Sequence, residues 1–285
     1  MSRKQKPYQV MRIELDKRFS FGLLLVEINM SENTPKFGRL TPDRWGKTMP
    51  AHNPSYKKGP WFYRDTEAVM ITYLTDEDAA LDVLPSDLEL IQPAMAFMVI
   101  EFNHFSTSGG PYGEVYTGIL CQYEGQVYAY ANAVYVTTEN ALTAGREIWG
   151  FGKKMAHRIE LIKHGTGEIE AVVETKPGHI AAKAFFHPET NLDASVLEEM
   201  PLAVLKIIPG VEGGEPDVAK LNTVSFGGPP HKGPDGKDEL YGGQATLEVD
   251  NISDVNLPVL QIVDAKYIRM TADLPYGKTL IDYKA

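Results

Sequence analysis

The sequence predicts a mainly β, α+β fold in which an antiparallel curved sheet or closed β-barrel encloses the active-site cavity, with a few peripheral helices. Two observations lead to this prediction. Short segments rich in Val, Ile, Tyr and Phe, each bounded by turn residues, recur along most of the chain, and this composition is typical of β-strands. Helical signals are few and do not alternate regularly with the strands, so a parallel doubly wound sheet is disfavoured.

The predicted strands follow a first part of different composition. Residues 1–57 are rich in Pro, Gly, Asn and charged residues and have mostly short apolar runs. We expect them to form an N-terminal arm that contacts another subunit, and residues 58–285 to form the folded domain. Strand composition occurs in the domain at 68–74, 94–102, 114–123, 126–136, 157–164, 168–175, 179–186, 244–250 and 264–274.

Two segments carry helical signals, and one long segment has no apolar periodicity. Residues 75–85 begin with Thr75 as the candidate N-cap and end at a proline, and residues 137–147 begin in a similar way. Residues 226–243, FGGPPHKGPDGKDELYGG, are too long for an ordinary connection. We expect them to be either a lid over the cavity or a mobile surface loop.

Length, charge and cysteine content narrow the class of protein. A chain of 285 residues can form one large domain or two modest ones without disulfides or metals. The single Cys121, the absence of a signal-peptide pattern and the absence of an apolar run of ~20 residues predict a cytoplasmic location and no membrane partner. The net charge of −10 argues against nucleic acid as a partner.

The sequence lacks the common motifs of metal and cofactor sites. The seven histidines include no pair at the spacing of a helical zinc site, and no acidic segment has the ligand spacing of a calcium loop. There is no P-loop, no G-x-G-x-x-G and no G-x-S-x-G. We therefore expect neither a metal nor an organic cofactor.

Residues 145–156, GREIWGFGKKMA, place two lysines among glycines, aromatic residues and aliphatic residues. Side chains alternate between the two faces of an extended segment, so Phe151, Lys153 and Met155 are expected on one face and Lys154 on the other. Burial disfavours the ammonium form and lowers the pKa of a lysine by up to ~3–5 units. A free amine near neutral pH is a nucleophile that forms Schiff bases with ketones and aldehydes.

The alternative interpretation of the lysine pair is a surface turn with two solvated ammonium groups. For an arbitrary pair of lysines this is the better interpretation. In this segment the lysines are flanked by large apolar residues, Trp149, Phe151 and Met155. Beside fully solvated charges these side chains would stay in contact with water and would not contribute to stability by burial. They favour apolar surroundings for one lysine.

The same segment resembles the lysine motif of the acetoacetate decarboxylase family, which is approximately G-R-E, three variable positions, an aromatic residue, proline and K-K. The resemblance implies that Lys153 forms the Schiff base and that Lys154 is its neighbour. This family is itself a known example of an activated lysine, with burial or an adjacent cation as the cause. The opposite orientation of the two lysines favours burial, because it directs the charge of Lys154 away.

The resemblance covers most of residues 58–285, which it implies to be an acetoacetate decarboxylase-like domain of a homo-oligomer. The matching segments are KGPWFYRDTEAVMITYLTDEDAALDVLPSDLEL (58–90), STSGGPYGEVY (106–116), LKIIP (205–209) and LP…IDY (274–283). Residues 1–57 and 226–243 have no counterpart in the family.

The resemblance also implies two catalytic carboxylates. Glu114 matches an active-site glutamate when one residue is deleted, and Glu101 matches a second one when the register shifts by one residue. Glu101 also ends an apolar run, 94–100, where a carboxylate is rarely buried without a partner. The alternatives are a solvated strand start for Glu114 and a solvent-accessible edge position for Glu101.

Other residues have supporting or substrate-binding assignments. Arg146 and Glu147 are expected to form an ion pair that fixes the lysine loop. Gly152 stands where the family usually has proline, so the loop has more backbone freedom to lose on folding. The family's arginine that helps hold the substrate carboxylate aligns with Thr66, and Arg64 is the substitute if the local alignment differs.

Together these observations predict a Schiff-base decarboxylase of a small β-keto acid, with the conversion of acetoacetate to acetone and CO2 as the type reaction. The missing arginine leaves open a Schiff-base aldolase-dehydratase of pyruvate and aldehydes, as in other branches of the family. A third function, of a different class, is a non-catalytic β-barrel that binds small carbonyl ligands. In each case the partner is a small keto acid or carbonyl compound.

Overall fold

The computed structural model describes residues 37–197, 200–250, 252–253 and 257–285. The chain divides into two compact units, Met1–Thr41 and Pro42–Ala285. In the first unit, residues 37–41 are exposed and belong to no helix or strand. Residues 1–36 of the predicted arm lie outside the described residues, and the arm's contact with another subunit stays a prediction.

The second unit consists mostly of β-strands, so the mainly β prediction is confirmed. The strands are β1 (Trp61–Leu74), β2 (Glu89–Leu90), β3 (Met95–Ser106), β4 (Tyr112–Tyr123), β5 (Gln126–Val136), β6 (Lys153–Met155), β7 (Arg158–Lys163), β8 (Ile169–Lys176), β9 (His179–Asn191), β10 (Leu202–Ile208), β11 (Val218–Val224), β12 (Leu240–Val249), β13 (Gln261–Leu274) and β14 (Lys278–Asp282). The helices are α1 (Glu77–Val83), α2 (Glu139–Ala144), a π-helical turn at Gly145–Trp149, and 3-10 turns at Pro42–Arg44 and Ala194–Val196.

The strands form one large curved sheet that is mixed and open. Its path is β14-β11-β10-β5-β4-β3-β1-β13-β12-β9-β8-β7, with β2 beside β4 and β6 beside β5. The pairs β10–β5 and β5–β6 are parallel, and the other pairs are antiparallel. Among the described strands no pairing joins β7 to β14, so the sheet is not a barrel closed by hydrogen bonds.

The curvature brings the last strand of the path over the middle of the sheet. A Cβ atom on Gly113 of β4 would lie 2.6 Å from the Ile159 Cβ of β7, although the two strands are not paired. This close approach encloses one large apolar cluster, which includes Val69, Ile100 and Ile159. Curving therefore buries the face of the sheet that strand pairing alone leaves open.

A second apolar cluster covers the opposite face of β1, β3, β4 and β5. It contains Ala68, Val99 and Val134. The residues that follow Ala68 and Val99 in the chain, Val69 and Ile100, belong to the first cluster. The alternation follows from the two-residue repeat of side chains along a strand. These strands are thus buried on both faces, which explains their long apolar runs.

Several predicted elements differ in extent from the observed ones. All nine predicted strands are present, β6 lies in the lysine segment that was expected to be extended, and the sequence signals missed β2, β10, β11 and β14. Helix α1 is capped by Asp76, whose Oδ1 accepts from the Ala79 N–H at 2.9 Å, so the predicted cap Thr75 is wrong. The Thr75 N–H donates instead to Ala94 O, which keeps Thr75 at the end of the strand pairing.

Residues 226–243 lie along β13. Gly227 and Pro230 form bridges with Asp273 and Met270, and the His231 N–H donates to Arg269 O at 2.7 Å. The first part of the segment therefore lies beside the end of β13, and its last residues begin β12, where Leu240 pairs with Ile268 of β13. Within the described parts of the chain, no helix has the length and apolar character needed to cross a membrane.

Candidate active site

A tight turn delivers Lys153 to the sheet. The π-helical turn ends at Gly150, which has φ +102°, and a Cβ atom there would lie 2.3 Å from the Lys206 Cβ. Only glycine combines this left-handed backbone with such a close approach. The chain then enters β6, where Lys153 pairs with Val134 of β5. Lys153 is buried and Lys154 is exposed, as the alternation of an extended segment predicted.

The Lys153 side chain is held by the backbone of Gly145 and the ring of Phe151. A Cβ atom on Gly145 would lie 2.5 Å from Cδ and 2.6 Å from Cε of Lys153. The Lys153 Nζ lies 5.4 Å from the centroid of the buried Phe151 ring. Met155, which was predicted to share these surroundings, is 47% exposed. The strand ends at Met155, and the next buried side chain is that of Ala156.

Glu114 forms the direct contact with the Lys153 amine. The Nζ–Oε1 distance is 2.8 Å, and the two side chains are 7% and 10% exposed. Glu114 lies on β4 opposite Val136 of β5, two residues from the partner of Lys153. With little water to screen it, the attraction between the two charges is stronger here than at the protein surface. The structure thus brings together two of the three residues that the resemblance assigned to catalysis.

Glu101 lies beside this pair as a second buried carboxyl group. It is the direct partner of Glu114 in the β3–β4 pairing, which places both side chains on one face. Burial, and then the charge of Glu114, raise the pKa of Glu101 from 4.5 to about 8, although Asn103 and Lys153 lower it. The raised pKa favours the neutral form of Glu101 near pH 7, and its Oε2 has no hydrogen-bond partner among the described residues.

Two buried residues that were not predicted as site residues, Asn103 and the arginine-aligned Thr66, connect to Glu101. The Asn103 Nδ2 donates to Glu101 Oε1 at 2.9 Å, and the Thr66 Oγ1 donates to Asn103 Oδ1 at 2.7 Å. Asn103 and Thr66 are both fully buried and are direct partners in the β1–β3 pairing. The contact of Asn103 with Glu101 could have been predicted from the sequence, because Asn103 follows Glu101 by two residues on a strand and shares its face.

Buried tyrosines complete the surroundings of the carboxyl groups. The Tyr112 Oη donates to the Tyr63 Oη at 3.1 Å, and both rings are buried. Burial, followed by neighbouring groups that include Glu101 and Glu114, raises the pKa of Tyr112 and of Tyr116 well above the ordinary range. These phenols stay neutral near pH 7 and supply polar hydroxyl groups without adding charge. Nothing in the sequence pattern distinguished them from other strand tyrosines.

Comparisons with known proteins identify the family of this chain. The family model described as acetoacetate decarboxylase (ADC) matches residues 48–284. The chain belongs to the acetoacetate decarboxylase family. The acetoacetate decarboxylase 1 of Bradyrhizobium diazoefficiens is 31% identical over 251 residues, which cover 85% of this chain and 95% of that relative. The relatives named acetoacetate decarboxylase indicate a carboxy-lyase.

Solved structures agree with this membership. A crystal structure of acetoacetate decarboxylase from Legionella pneumophila has a TM-score of 0.75 and 27% identity, and covers 90% of this chain and 100% of that chain. The enduracididine biosynthesis enzyme MppR complexed with pyruvate has a TM-score of 0.67 and 20% identity, over 84% of this chain and 98% of that chain. At that identity the similarity to MppR shows a shared fold alone.

In this acetoacetate decarboxylase family member, Arg146 and Glu147 support the lysine turn through separate partners. The Arg146 Nη1 donates to Lys153 O at 3.2 Å, whereas the Glu147 carboxylate accepts from Tyr56 Oη at 2.8 Å and from Thr48. The contacts of the described residues include no ion pair between Arg146 and Glu147, so that prediction is wrong. Their side chains diverge from neighbouring positions of the π-helical turn and hold it at two points.

Arg64 is not brought to the lysine. Its guanidinium group donates to Tyr63 O at 2.6 Å and pairs with Asp273 Oδ1 at 3.2 Å, with about half of its side chain exposed. Tyr63 and Thr66 face the buried site, and a bulge at Asp65 separates them. Arg64 lies between these inward positions and points outward. The substitution of Arg64 for the family's arginine therefore has no support in this geometry.

A group with possible metal ligands lies on the other face of the sheet. One ligand atom each from Asp65, Glu67 and His104 lies within 4.8 Å of the others. Their carboxylates are already paired, because Arg269 contacts Asp65 and the Lys163 Nζ lies 2.9 Å from Glu67 Oε1. These two cations balance the two carboxylates, so the group is an ion-pair network. It has no part in the lysine site.

The close approach of Gly145 to Lys153 gives a first prediction. Gly145→Ala should lower decarboxylase activity by roughly 10- to 100-fold, because the added methyl group displaces the Lys153 side chain from Glu114. Gly152→Ala is the matched control in the same turn, since a Cβ atom there meets nothing within 4 Å. Steady-state kinetics on both variants makes the comparison. Equal activities would show that the glycine does not set the lysine position.

The raised pKa of Glu101 gives a second prediction, on stability. Between pH 4.5 and pH 8 the folded protein binds a proton on Glu101 that the unfolded chain has released, so this group's contribution to stability falls as pH rises. Glu101→Gln removes the titration. The variant should therefore gain in free energy of unfolding relative to the wild type from pH 5 to pH 8, by on the order of a few kcal/mol.

Urea denaturation at pH 5, 6, 7 and 8 measures this difference. Glu160→Gln, at a half-exposed carboxylate of β7, is the control and should show no comparable trend. A difference between Glu101→Gln and the wild type that stays constant with pH would mean that Glu101 is ionised throughout.

Proposed function

We propose that this protein is a Schiff-base decarboxylase of a small β-keto acid, with acetoacetate as the type substrate, and that Lys153 is the nucleophile. The observation that carries the proposal is the buried Lys153–Glu114 pair with the neutral Glu101 beside it. The named acetoacetate decarboxylases to which the chain is similar support the substrate.

The first step requires an uncharged amine on Lys153. Glu114, whose Oε1 lies 2.8 Å from the Lys153 Nζ, is placed to accept the proton of the ammonium group. The amine then attacks the ketone carbon of the substrate. Loss of water from the adduct leaves a protonated imine, whose positive charge takes the place of the ammonium charge beside Glu114.

The protonated imine then serves as the electron acceptor. The bond between the carboxylate carbon and the α-carbon breaks, CO2 leaves, and the electron pair moves toward the nitrogen to form an enamine. The α-carbon of the enamine takes up a proton, for which the neutral Glu101 is the candidate donor. Water then hydrolyses the imine, which releases the methyl ketone and restores the Lys153 amine.

A second function, the aldolase-dehydratase reaction of pyruvate with an aldehyde, uses the same lysine. Thr66, at the position of the family's arginine, leaves this function open, because Thr66 and Asn103 are neutral where the resemblance implies a cation for the substrate carboxylate. In that reaction the enamine of pyruvate adds to the aldehyde and the adduct loses water. The two functions differ in whether CO2 is released.

The test combines product analysis with trapping. The wild type should release CO2 and acetone from acetoacetate, and borohydride added during turnover should fix the substrate to the peptide that contains Lys153. Lys153→Ala should lose all turnover and all trapping, because no other amine replaces the nucleophile. Lys154→Ala should still be trapped at Lys153, since the Lys154 side chain points to solvent.

Each alternative has its own signature in this experiment. Condensation of pyruvate with an aldehyde, without CO2 from acetoacetate, would establish the second function. Binding of keto acids without any covalent mass would indicate the non-catalytic binder. Turnover that persists in Lys153→Ala would remove both enzymatic proposals.

A further inference from the structure

A chain of three buried polar side chains leads from β1 to the acid beside the lysine. Thr66 on β1 donates to Asn103 on β3, and Asn103 donates to Glu101 on the same strand. Thr66 and Asn103 are 0% exposed and Glu101 is 2% exposed. With so little access to water, these hydrogen bonds have few competitors, and the orientation of each group is set by its neighbour.

The direction of each hydrogen bond is fixed by the chemistry of the amide. The Asn103 nitrogen can only donate, so Glu101 Oε1 must be an acceptor. In a neutral carboxyl group the carbonyl oxygen is the better acceptor and the hydroxyl oxygen carries the proton. Since Oε1 accepts from Asn103, the proton belongs on Oε2, which has no protein partner among the described residues.

The Thr66 hydroxyl contacts the end of the Asn103 amide that faces β1. It donates to Asn103 Oδ1, so in this arrangement the amide oxygen is directed at β1 and the nitrogen at Glu101. A rotated amide would present its oxygen to Glu101 instead. That oxygen would accept the acid proton and withdraw it from the site.

We propose that Asn103, held by Thr66, is a positioning residue that fixes Glu101 with Oε1 as an acceptor and with its proton on Oε2, the oxygen left free for the reacting substrate. The inference rests on the proposed function insofar as Glu101 is the proton donor to the enamine. It assigns a role to two residues whose hydrogen bonds end at Glu101 Oε1, beside the oxygen Oε2 that lacks a partner among the described residues.

The proposal predicts how the ionisation of Glu101 responds to mutation. A donor to Oε1 stabilises the carboxylate, so its loss favours the neutral acid. In Asn103→Leu the pH at which Glu101 loses its proton should rise by about one unit, the effect of one hydrogen bond to a charged group. Thr66→Val should shift it in the same direction, because the amide is then free to turn. Thr66→Ser keeps the hydroxyl and should behave as the wild type does.

The ionisation is measured without substrate, by the carboxylic-acid C=O stretching band in infrared spectra taken across pH. Glu101→Gln assigns the band by its disappearance. Thr117→Val is the matched control, since Thr117 is another buried threonine of the sheet, whose hydroxyl donates to Phe97 O at 2.7 Å on the opposite face. It should lose stability and leave the midpoint of the band unchanged.

Kinetics supply the second readout. Asn103→Leu and Thr66→Val should lower kcat for CO2 release about tenfold or more, whereas borohydride should still trap acetoacetate at Lys153, because imine formation precedes the use of the Glu101 proton. If Asn103→Leu does not fold, the comparison of Thr66→Val with Thr66→Ser carries the test.

The outcomes separate this inference from the proposed function. A wild-type midpoint in Thr66→Val, or a serine variant as impaired as the valine variant, would overturn the positioning role. If the bands shift as expected but the wild type neither decarboxylates acetoacetate nor forms the trapped adduct, the positioning of the Glu101 proton stands and the proposed reaction fails.

Discussion

The site depends on one buried ion pair, between the Lys153 amine and the Glu114 carboxylate. Holding either charge alone in these surroundings would be costly, and a contact of 2.8 Å offsets part of that cost. The pair also places a base beside the amine, which a buried lysine needs before it can act as a nucleophile. The group that stabilises the ammonium ion in the resting protein is the group placed to remove its proton.

Strand register then arranges the remaining groups around this pair. Glu101 is opposite Glu114, Asn103 follows Glu101 on the same face, and Thr66 is opposite Asn103. Four polar side chains thus meet through the two-residue alternation of three adjacent strands, without a loop. The lysine alone arrives by a different route, through the π-helical turn and the left-handed Gly150. The sheet presents the acids, and a glycine-dependent turn presents the lysine.

The sequence predicted the strands best where apolar residues form long runs, and predicted the site best where a local motif carried it. The burial of Lys153 and the exposure of Lys154 followed from alternation in a short segment. The exposure of Met155 could not be predicted in this way, because it depends on where a three-residue strand ends. The separate partners of Arg146 and Glu147 could not be predicted either, because they depend on how a π-helical turn directs its side chains. The Thr66–Asn103 contact joins residues 37 positions apart, and only the pairing of β1 with β3 makes it visible.

The charges of the site bear on the reaction that it favours. Among the described contacts of Glu101, Glu114 and Asn103, the one cationic nitrogen is that of Lys153. A substrate carboxylate that enters as the lysine becomes a protonated imine therefore meets one positive charge that is already balanced by Glu114. Keeping Glu101 neutral avoids a second repulsion. The substrate carboxylate still has only neutral partners, in surroundings that solvate it poorly. This poor solvation weakens the binding of the carboxylate and favours its departure as uncharged CO2.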